Sequence, residues 1–145
     1  MYGYKKAQNG NTYVIITLFI PSDSLTNLNR NNISNPNFAS YRCSKAKVIN
    51  IEDENGYKYN QAHSCFCGKF NKLKYTTKKF VETSFDSNLE NERSSGIHFF
   101  LTEKVANNYF SSKPENGVKY TYWENGSIYT IYNYKNLLYI IIKII

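Results

Sequence analysis

The chain has 145 residues, enough for one domain with a buried core and too few for two independent domains of ordinary size. Its formal net charge is +7, with 15 Lys but only 3 Arg, and base reading favours the planar fork of Arg, so sequence-specific nucleic-acid recognition is disfavoured. No apolar run reaches the ~18 residues of a membrane-spanning helix, and three cysteines, an odd number, fit a reducing compartment; we expect an intracellular protein that makes no membrane contact.

The first half of the chain predicts strands separated by polar segments. Residues 12–20 are β-branched and aromatic, which favours a buried strand that ends at Pro21. Residues 22–40 are rich in Asn and Ser and predict a long loop. A strand with alternating faces is predicted over residues 45–51, followed by a turn at Asn55-Gly56. Its two faces are Ala46, Val48 and Asn50 on one side and Lys47, Ile49 and Ile51 on the other.

The second half begins with less regular segments and then a clear junction. Residues 72–85 have strand character at both ends, and residues 86–95 are polar and predict a loop. Residues 97–101 form a continuous apolar run that predicts a short buried strand. Thr102 is a good N-cap and Glu103 suits the first turn, so a short helix should follow at once.

The last third predicts a β-meander. Strands are expected over residues 118–123, 128–134 and 137–145, and the Asn125-Gly126 pair between two aromatic runs is typical of a tight hairpin turn. The final run is rich in Leu and Ile, so we expect it to be an integral strand that packs on the rest of the protein.

Together these elements predict a single α+β domain. It should be mainly antiparallel sheet, with one short helix after Leu101 and the C-terminal meander. We expect residues 1–116 to form the main part and residues 117–145 to form the meander, packed on the same core.

Four blocks of sequence carry a family resemblance. In chain order they are residues 2–6 (YGYKK), 15–21 (IITLFIP), 41–48 (YRCSKAKV) and 94–100 (SSGIHFF), the last with Ala106 and Tyr109 downstream. Over about residues 2–110 they resemble an uncharacterised domain of giant-virus (mimivirus-like) proteins, often found beside repeat arrays. The resemblance implies a viral protein of the host cytoplasm or the virion, and it carries no catalytic residues to this chain.

The tail has a resemblance of its own. Residues 122–126 (YWENG) and 132–136 (YNYKN) resemble one degenerate MORN-type repeat, with Leu137 where that repeat would have a second glycine. A lone repeat has no copies of itself to stack on, so we expect its apolar face to dock on the preceding domain.

Protein binding is the function that we favour. The repeat-type tail and the occurrence of the family beside interaction arrays favour a non-catalytic viral interaction module that binds a host or virion protein. Tyr-rich strands suit protein contacts. The binding residues predicted on this basis are Tyr120, Tyr122, Trp123 and Tyr132. We expect no cofactor.

An enzyme of ADP-ribosyltransferase-like type is the first alternative. Such folds are small and β-rich, and they grip a nicotinamide dinucleotide with a His or Arg and Tyr residues, using a Glu for the chemistry. This chain supplies those residue types in Arg42, Tyr75, His98 and Glu103, without any ordered motif of that family. For His98 we favour a semi-buried histidine whose ring nitrogens bond backbone or water.

The motif His63-x-Cys65-x-Cys67 is a candidate metal site, with Cys43 or His98 as a fourth ligand. The spacing differs from the Cys-x2-Cys pattern of zinc knuckles, so we expect free thiols and no metal.

Weak, non-specific RNA binding is the second alternative. Aromatic and basic residues alternate in three stretches, and such a surface can stack single-stranded bases. The stretches are Tyr2, Tyr4, Lys5 and Lys6; Tyr57, Lys58 and Tyr59; and Lys119, Tyr120 and Tyr122.

Overall fold

The computed structural model describes residues 1–64, 73–109, 118–122, 124–133 and 138–141, which are mainly antiparallel strands with one short helix. The fold is therefore β-rich, with less helix than the α+β label implies. The elements are β1 (Tyr2–Asn9), β2 (Thr12–Phe19), β3 (Ser40–Cys43), β4 (Lys45–Glu52), β5 (Gln61–Ser64), β6 (Lys74–Thr76), β7 (Phe80–Glu82), β8 (Ile97–Phe100), α1 (Glu103–Asn108), β9 (Val118–Tyr122), β10 (Ile128–Asn133) and β11 (Leu138–Ile141).

The main sheet is built around β1. Its strand order is β3-β8-β1-β2-β4-β7, and β5 pairs with both β1 and β6. Along one edge, β1 pairs with the whole of β2. Along the other edge it pairs with β8 at Tyr4 and with β5 at Ala7 and Gln8. Two strands therefore share that edge of β1, and the sheet curls around the core.

The core lies against one face of this sheet. It is formed by buried apolar side chains of β1 to β6 and β8 and of the segments next to β2 and β3, and several half-buried side chains pack around it. Its largest fully buried apolar members are Tyr75, Phe99, Ile16, Leu18, Ile51 and Ile97.

A β-bulge in β4 changes the predicted faces of that strand. Val48 and Asn50 lie opposite consecutive residues of β2, so Ile49 is the extra residue. As a result Ile51 is 1% exposed and joins the core, whereas Ile49 is 43% exposed. The prediction that Ile51 shares a face with Lys47 is therefore wrong, because strict alternation cannot foresee a bulge.

The predicted junction of strand and helix is confirmed. Ile97 and Phe99 are fully buried, and His98 between them is only half-buried. Thr102 caps α1, since its hydroxyl accepts a hydrogen bond from the Val105 backbone N–H.

Among the described residues, no helix has the length and apolar character needed to cross a bilayer.

The C-terminal strands form a separate three-stranded antiparallel sheet in the order β11-β10-β9, which is the predicted meander. The turn between β9 and β10 contacts the long loop of residues 22–39. The Asn125 carbonyl accepts hydrogen bonds from the backbone N–H groups of Ser34 (2.8 Å) and Asn35 (3.0 Å). Gly126 has φ +93°, and a Cβ there would overlap the Asn35 carbonyl.

Arg30 also bonds to the turn between β9 and β10. Its guanidinium donates to the carbonyls of Ser40 and Glu124, both at 2.6 Å, and lies 5.2 Å from the centroid of the Tyr41 ring. Arg30 is buried, so these bonds form away from bulk water. The turn is thus joined to the main domain, whereas the packing of the C-terminal strands on the core stays a prediction.

Candidate functional site

Two residues of the enzyme hypothesis, Arg42 and His98, are neighbours. They lie opposite each other on the paired strands β3 and β8. Arg42 is completely buried, and His98 is half-buried. Their proximity could not be read from sequence, since they are more than fifty positions apart and strand pairing brings them together.

The Arg42 guanidinium is occupied by the loop of residues 86–95. Its Nε donates to the Asn91 carbonyl (2.8 Å) and its Nη2 to the Asn88 carbonyl (2.7 Å). Its Nη1 donates to the carbonyls of Asp86 (2.8 Å) and Ser95 (3.1 Å). Because a guanidinium has five N–H groups, these four bonds leave almost no capacity for a ligand. Arg42 therefore organises this loop.

The loop is reinforced by its own carboxylate. Asp86 accepts hydrogen bonds from the Asn91 side chain (2.8 Å), the Ser94 hydroxyl (2.6 Å) and the Asn88 backbone N–H (2.9 Å). These bonds favour the ionised form and lower the pKa of Asp86 to about 2. The loop is consequently a closed, internally bonded unit around the Arg42 fork.

His98 is surrounded by positive charge. The Lys5 ammonium donates to the His98 carbonyl at 3.2 Å, and Arg42 faces His98 across the strand pair. Burial, followed by the charge on Lys5, lowers the pKa of His98 to about 4, although a hydrogen bond with the Glu92 backbone opposes this shift. The imidazole is therefore neutral at pH 7.

Acid should destabilise the protein through His98. Its pKa of about 4 in the folded state lies below the ordinary 6.5, so the unfolded chain binds more protons between these values. Stability contributed by neutral His98 is thus present above pH 6.5 and is lost as the pH falls towards 4, by about 3 kcal/mol. We expect His98→Gln to flatten this pH dependence in urea unfolding. Equal slopes for wild type and variant would contradict the assignment.

Tyr75 is enclosed by the core. It lies on β6 opposite Ala62, is fully buried, and burial raises its pKa. Ser64 lies near its hydroxyl and opposes this shift, but the hydroxyl makes no hydrogen bond of ordinary geometry. Lys5 lies 5.9 Å from the ring centroid and so connects Tyr75 with the His98 strand. No ligand can reach Tyr75 without opening the core.

Glu103 lies in a different place. It is exposed at the start of α1 and lines an acidic surface pocket. The other lining residues are Ile15, Glu52, Asp53, Glu54, Gly56 and Asn107. That lining includes neither Arg42 nor Tyr75 nor His98, so this pocket does not bring Glu103 together with the other three residues of the enzyme hypothesis.

The carboxylates of this pocket are used by the hairpin that carries them. Asp53 accepts from the backbone N–H groups of Asn55 (2.9 Å) and Tyr57 (3.0 Å), and Glu52 forms an ion pair with Lys58 (3.1 Å). Across the described ranges, no three His, Cys, Asp or Glu side chains are grouped so as to hold a metal ion. Asp53 and Glu52 of the pocket thus stabilise the hairpin that carries them.

In the His63-x-Cys65-x-Cys67 motif, His63 lies on β5, whereas Cys65 and Cys67 lie outside the described residues. Cys43 is buried on β3, and burial raises the pKa of its thiol to about 11. It is therefore protonated at neutral pH, and neither a nucleophile nor a ready metal ligand.

All three arginines of the chain are engaged internally. Arg30 and Arg42 are buried and bond to backbone carbonyls, and Arg93 pairs with Glu124. Lys5 and Lys6 are also turned to backbone carbonyls, those of His98 (3.2 Å) and Asn107 (3.0 Å). The first of the three aromatic and basic stretches therefore does not present its two lysines to solvent.

A surface that sequence reasoning missed lies on the outer face of the main sheet. Tyr2 pairs with Phe19, Phe19 with Lys47, and Lys47 with Phe80, so these four residues form one continuous row across β1, β2, β4 and β7. We call it the aromatic–basic row. Its three rings are 57%, 37% and 54% exposed in that order. Each strand contributes an aromatic or basic residue that is visible in the sequence, but their alignment in one row depends on the strand registers.

The rings of the row are held in place. Tyr2 and Phe19 pack edge to face, with centroids 5.7 Å apart. The Phe80 ring has two ammonium groups nearby, those of Lys45 (5.2 Å) and Lys47 (5.9 Å). The row is therefore an ordered surface with exposed apolar area.

For the predicted binding residues of the tail, the structure describes strand positions and no side-chain surroundings. Tyr120, Tyr122 and Tyr132 are in β9 and β10, where the described features are the backbone pairings, such as Ile131 with Tyr120. Trp123 lies outside the described residues. Their role as binding residues stays a prediction.

Comparison with known proteins places the chain in a family. A search among curated proteins found no match, and neither did a search among solved structures. A model described as a family of unknown function (DUF5758) matches residues 1–106 of the 145. This confirms the expectation of an uncharacterised domain, because the match covers nearly all of the region that carries the resemblance. The chain therefore belongs to the family of unknown function DUF5758.

Proposed function

We propose that this chain is a non-catalytic interaction module that binds a protein partner. The observation that carries the proposal is the aromatic–basic row, an ordered set of three half-exposed rings on the outer face of the sheet. Aromatic side chains dominate binding energy at protein interfaces, and those already held in place lose little conformational freedom on binding.

The placement of the candidate catalytic residues favours binding over chemistry. Arg42 spends its N–H groups on the loop of residues 86–95, and Tyr75 is sealed in the core. Glu103 lines a pocket that contains neither of them. An ADP-ribosyltransferase-like reaction needs such groups around one bound dinucleotide, and in the described part of the chain Arg42 and Tyr75 are already committed elsewhere.

The basic residues favour protein over RNA as the partner. Arg30 and Arg42 are buried and bonded to backbone carbonyls, so phosphate could reach them only by breaking existing bonds. Arg93 is exposed, and its Nε is paired with Glu124. The Phe80 ring already has two ammonium groups near it, at 5.2 and 5.9 Å from its centroid, and these compete with a base for that ring. We therefore favour a protein partner over RNA, and the experiment below includes a test for RNA binding.

The sequence blocks support a more specific context. Their order resembles the giant-virus domain, so the partner that we propose is a host or virion protein and the site of action is the host cytoplasm or the virion. The tail, as a single degenerate MORN-type repeat, would extend the binding surface through Tyr120, Tyr122, Trp123 and Tyr132. The attachment of its turn to Arg30 and Asn35 supports a tail that acts together with the main domain.

The test uses the whole chain as bait in lysate of infected host cells. Captured material is analysed for protein and RNA at low and high salt, with and without ribonuclease, and the bait is assayed for consumption of nicotinamide dinucleotide. We expect a specific protein to be retained after ribonuclease treatment and no turnover of the dinucleotide. Capture that disappears with ribonuclease would favour RNA binding, and turnover above that of a His98→Gln variant would favour the enzyme.

A further inference from the structure

We propose that the aromatic–basic row is the docking surface for an extended, acidic segment of a partner protein that also carries aromatic side chains. This rests on the proposed function and names the surface and the chemistry of the partner.

The shape of the row fits an extended segment. Its four residues lie on four neighbouring strands, and since strands are about 4.8 Å apart the row is roughly 14 Å long. An extended chain advances about 3.3 Å per residue, so a segment of about four to five residues would cover it. The row ends on β7, which is the last strand in the order of the main sheet.

The rings offer apolar area that is already positioned. Tyr2 and Phe80 are each more than half exposed, and Phe19 is more than a third exposed. Contacts with Phe19 and with two ammonium groups hold the rings of Tyr2 and Phe80. Aromatic side chains of a partner could pack between these positions without first ordering the surface.

The charge around the row is positive and is not balanced. Lys45 lies between two carboxylates, those of Asp23 (3.2 Å) and Glu82 (3.8 Å), so this group carries one carboxylate charge in excess. Within the part of the chain that is described, Lys47, Lys78 and Lys79 form no ion pair, and Lys78 and Lys79 are exposed. These last two residues lie beside β4, because the Lys78 N–H donates to the Val48 carbonyl and the Val48 N–H to the Lys79 carbonyl.

The excess of positive charge near three exposed rings selects the partner, since Lys45, Lys47, Lys78 and Lys79 outnumber the carboxylates of Asp23 and Glu82 by two. Carboxylates of an acidic segment would meet Lys47, Lys78 and Lys79, while its apolar side chains cover the rings. A basic or neutral segment would bury the same rings without gaining these attractions. The lysines therefore favour acidic over basic or neutral segments, and the rings provide the apolar contact with the bound segment.

Fluorescently labelled peptides test this directly. One alternates Glu and Tyr, a second replaces Glu by Gln, a third replaces Glu by Lys, and a single-stranded RNA oligonucleotide of the same charge as the acidic peptide is the fourth probe. Binding to the full chain is measured by fluorescence anisotropy at low and high salt. We expect the acidic peptide to bind more tightly than the other three, with an affinity that falls as salt screens the lysines.

Variants locate the binding surface. The double variant Lys47→Glu with Phe80→Ser should bind the acidic peptide at least about tenfold more weakly. The matched control is Lys104→Glu with Tyr57→Ser, which makes the same charge change and a similar aromatic-to-Ser change at exposed positions on α1 and on the hairpin after β4. It should bind within about twofold of wild type. Lys79→Glu keeps every ring and should weaken binding by about threefold, which serves if the double variant folds poorly.

Several results would overturn the inference. Equal loss in the double variant and its control would place the site elsewhere. Equal or tighter binding of the Lys–Tyr peptide, or no binding of the Glu–Tyr peptide to wild type, would contradict the charge argument. RNA that binds this surface more tightly than the acidic peptide would make the row an RNA-binding surface.

In each case a protein retained from lysate would leave the proposed interaction function standing, whereas ribonuclease-sensitive capture or dinucleotide turnover would refute that function itself.

Discussion

Replacing Arg42 by Met is expected to reduce the free energy of unfolding by about 3–5 kcal/mol. Methionine fills much of the same volume but donates no hydrogen bond. Four carbonyls, those of Asp86, Asn88, Asn91 and Ser95, would lose their partner in the interior of the loop. Denaturant unfolding at neutral pH measures the loss, and amide exchange should show the loop of residues 86–95 opening before the sheet.

Arg93→Met is the matched control for Arg42→Met. The Arg93 side chain is 80% exposed and pairs with the Glu124 carboxylate at the surface, so its loss should change stability by less than about 1 kcal/mol. Arg42→Lys should lie nearer to Arg42→Met than to wild type, because an ammonium cannot reproduce the planar fork. A stable Arg42→Met protein with a protected loop would show that the loop closes without the guanidinium.

Phe99→Ala should also cost about 3–5 kcal/mol. The ring is completely buried on β8, opposite Tyr41 on β3, with the two ring centroids 5.8 Å apart. Its truncation would leave a cavity between β3, β8 and β1. Denaturant unfolding gives the value, and Phe99→Leu should lose much less because most of the volume remains. A loss below about 1 kcal/mol for Phe99→Ala would mean that the site collapses to fill the space.

Gly3 supplies an internal check on the Phe99 environment. A Cβ at Gly3 would lie 2.7 Å from the Phe99 ring, so Gly3→Ala should destabilise wild type by crowding. In the Phe99→Leu background that crowding is relieved, and the double variant should be more stable than the sum of the single effects predicts. Additive effects would show that the two sites do not touch in solution.

The pieces of structure that depend on neighbours in sequence were predictable. The apolar run at residues 97–101 and the Thr102 cap predicted β8 and α1, and the Asn125-Gly126 pair predicted the turn between β9 and β10. Each of these is decided by side chains within a few positions of one another. The alternation in β4 was predicted correctly only as far as the bulge at Ile49, because a bulge depends on the partner strand.

The central strand, β1, was not predicted. It contains Lys5 and Lys6, and a sequence with lysine at adjacent positions is typical of a solvated segment. In the folded protein both ammonium groups reach backbone carbonyls, those of His98 and Asn107, so the strand can be central despite its charges. Neither carbonyl can be identified as a partner before the chain is folded.

The sequence by itself determined local features of this protein: a β-rich domain of family DUF5758, a capped helix after a buried strand, a tight hairpin in the tail and an excess of positive charge. Only the tertiary structure decided what the polar residues do. It buried Arg42 in a ring of carbonyls, separated Glu103 from His98, and aligned the aromatic–basic row across four strands. The physical reason is that hydrogen-bond partners and strand registers join residues far apart in the chain, and neither periodicity nor composition contains that information.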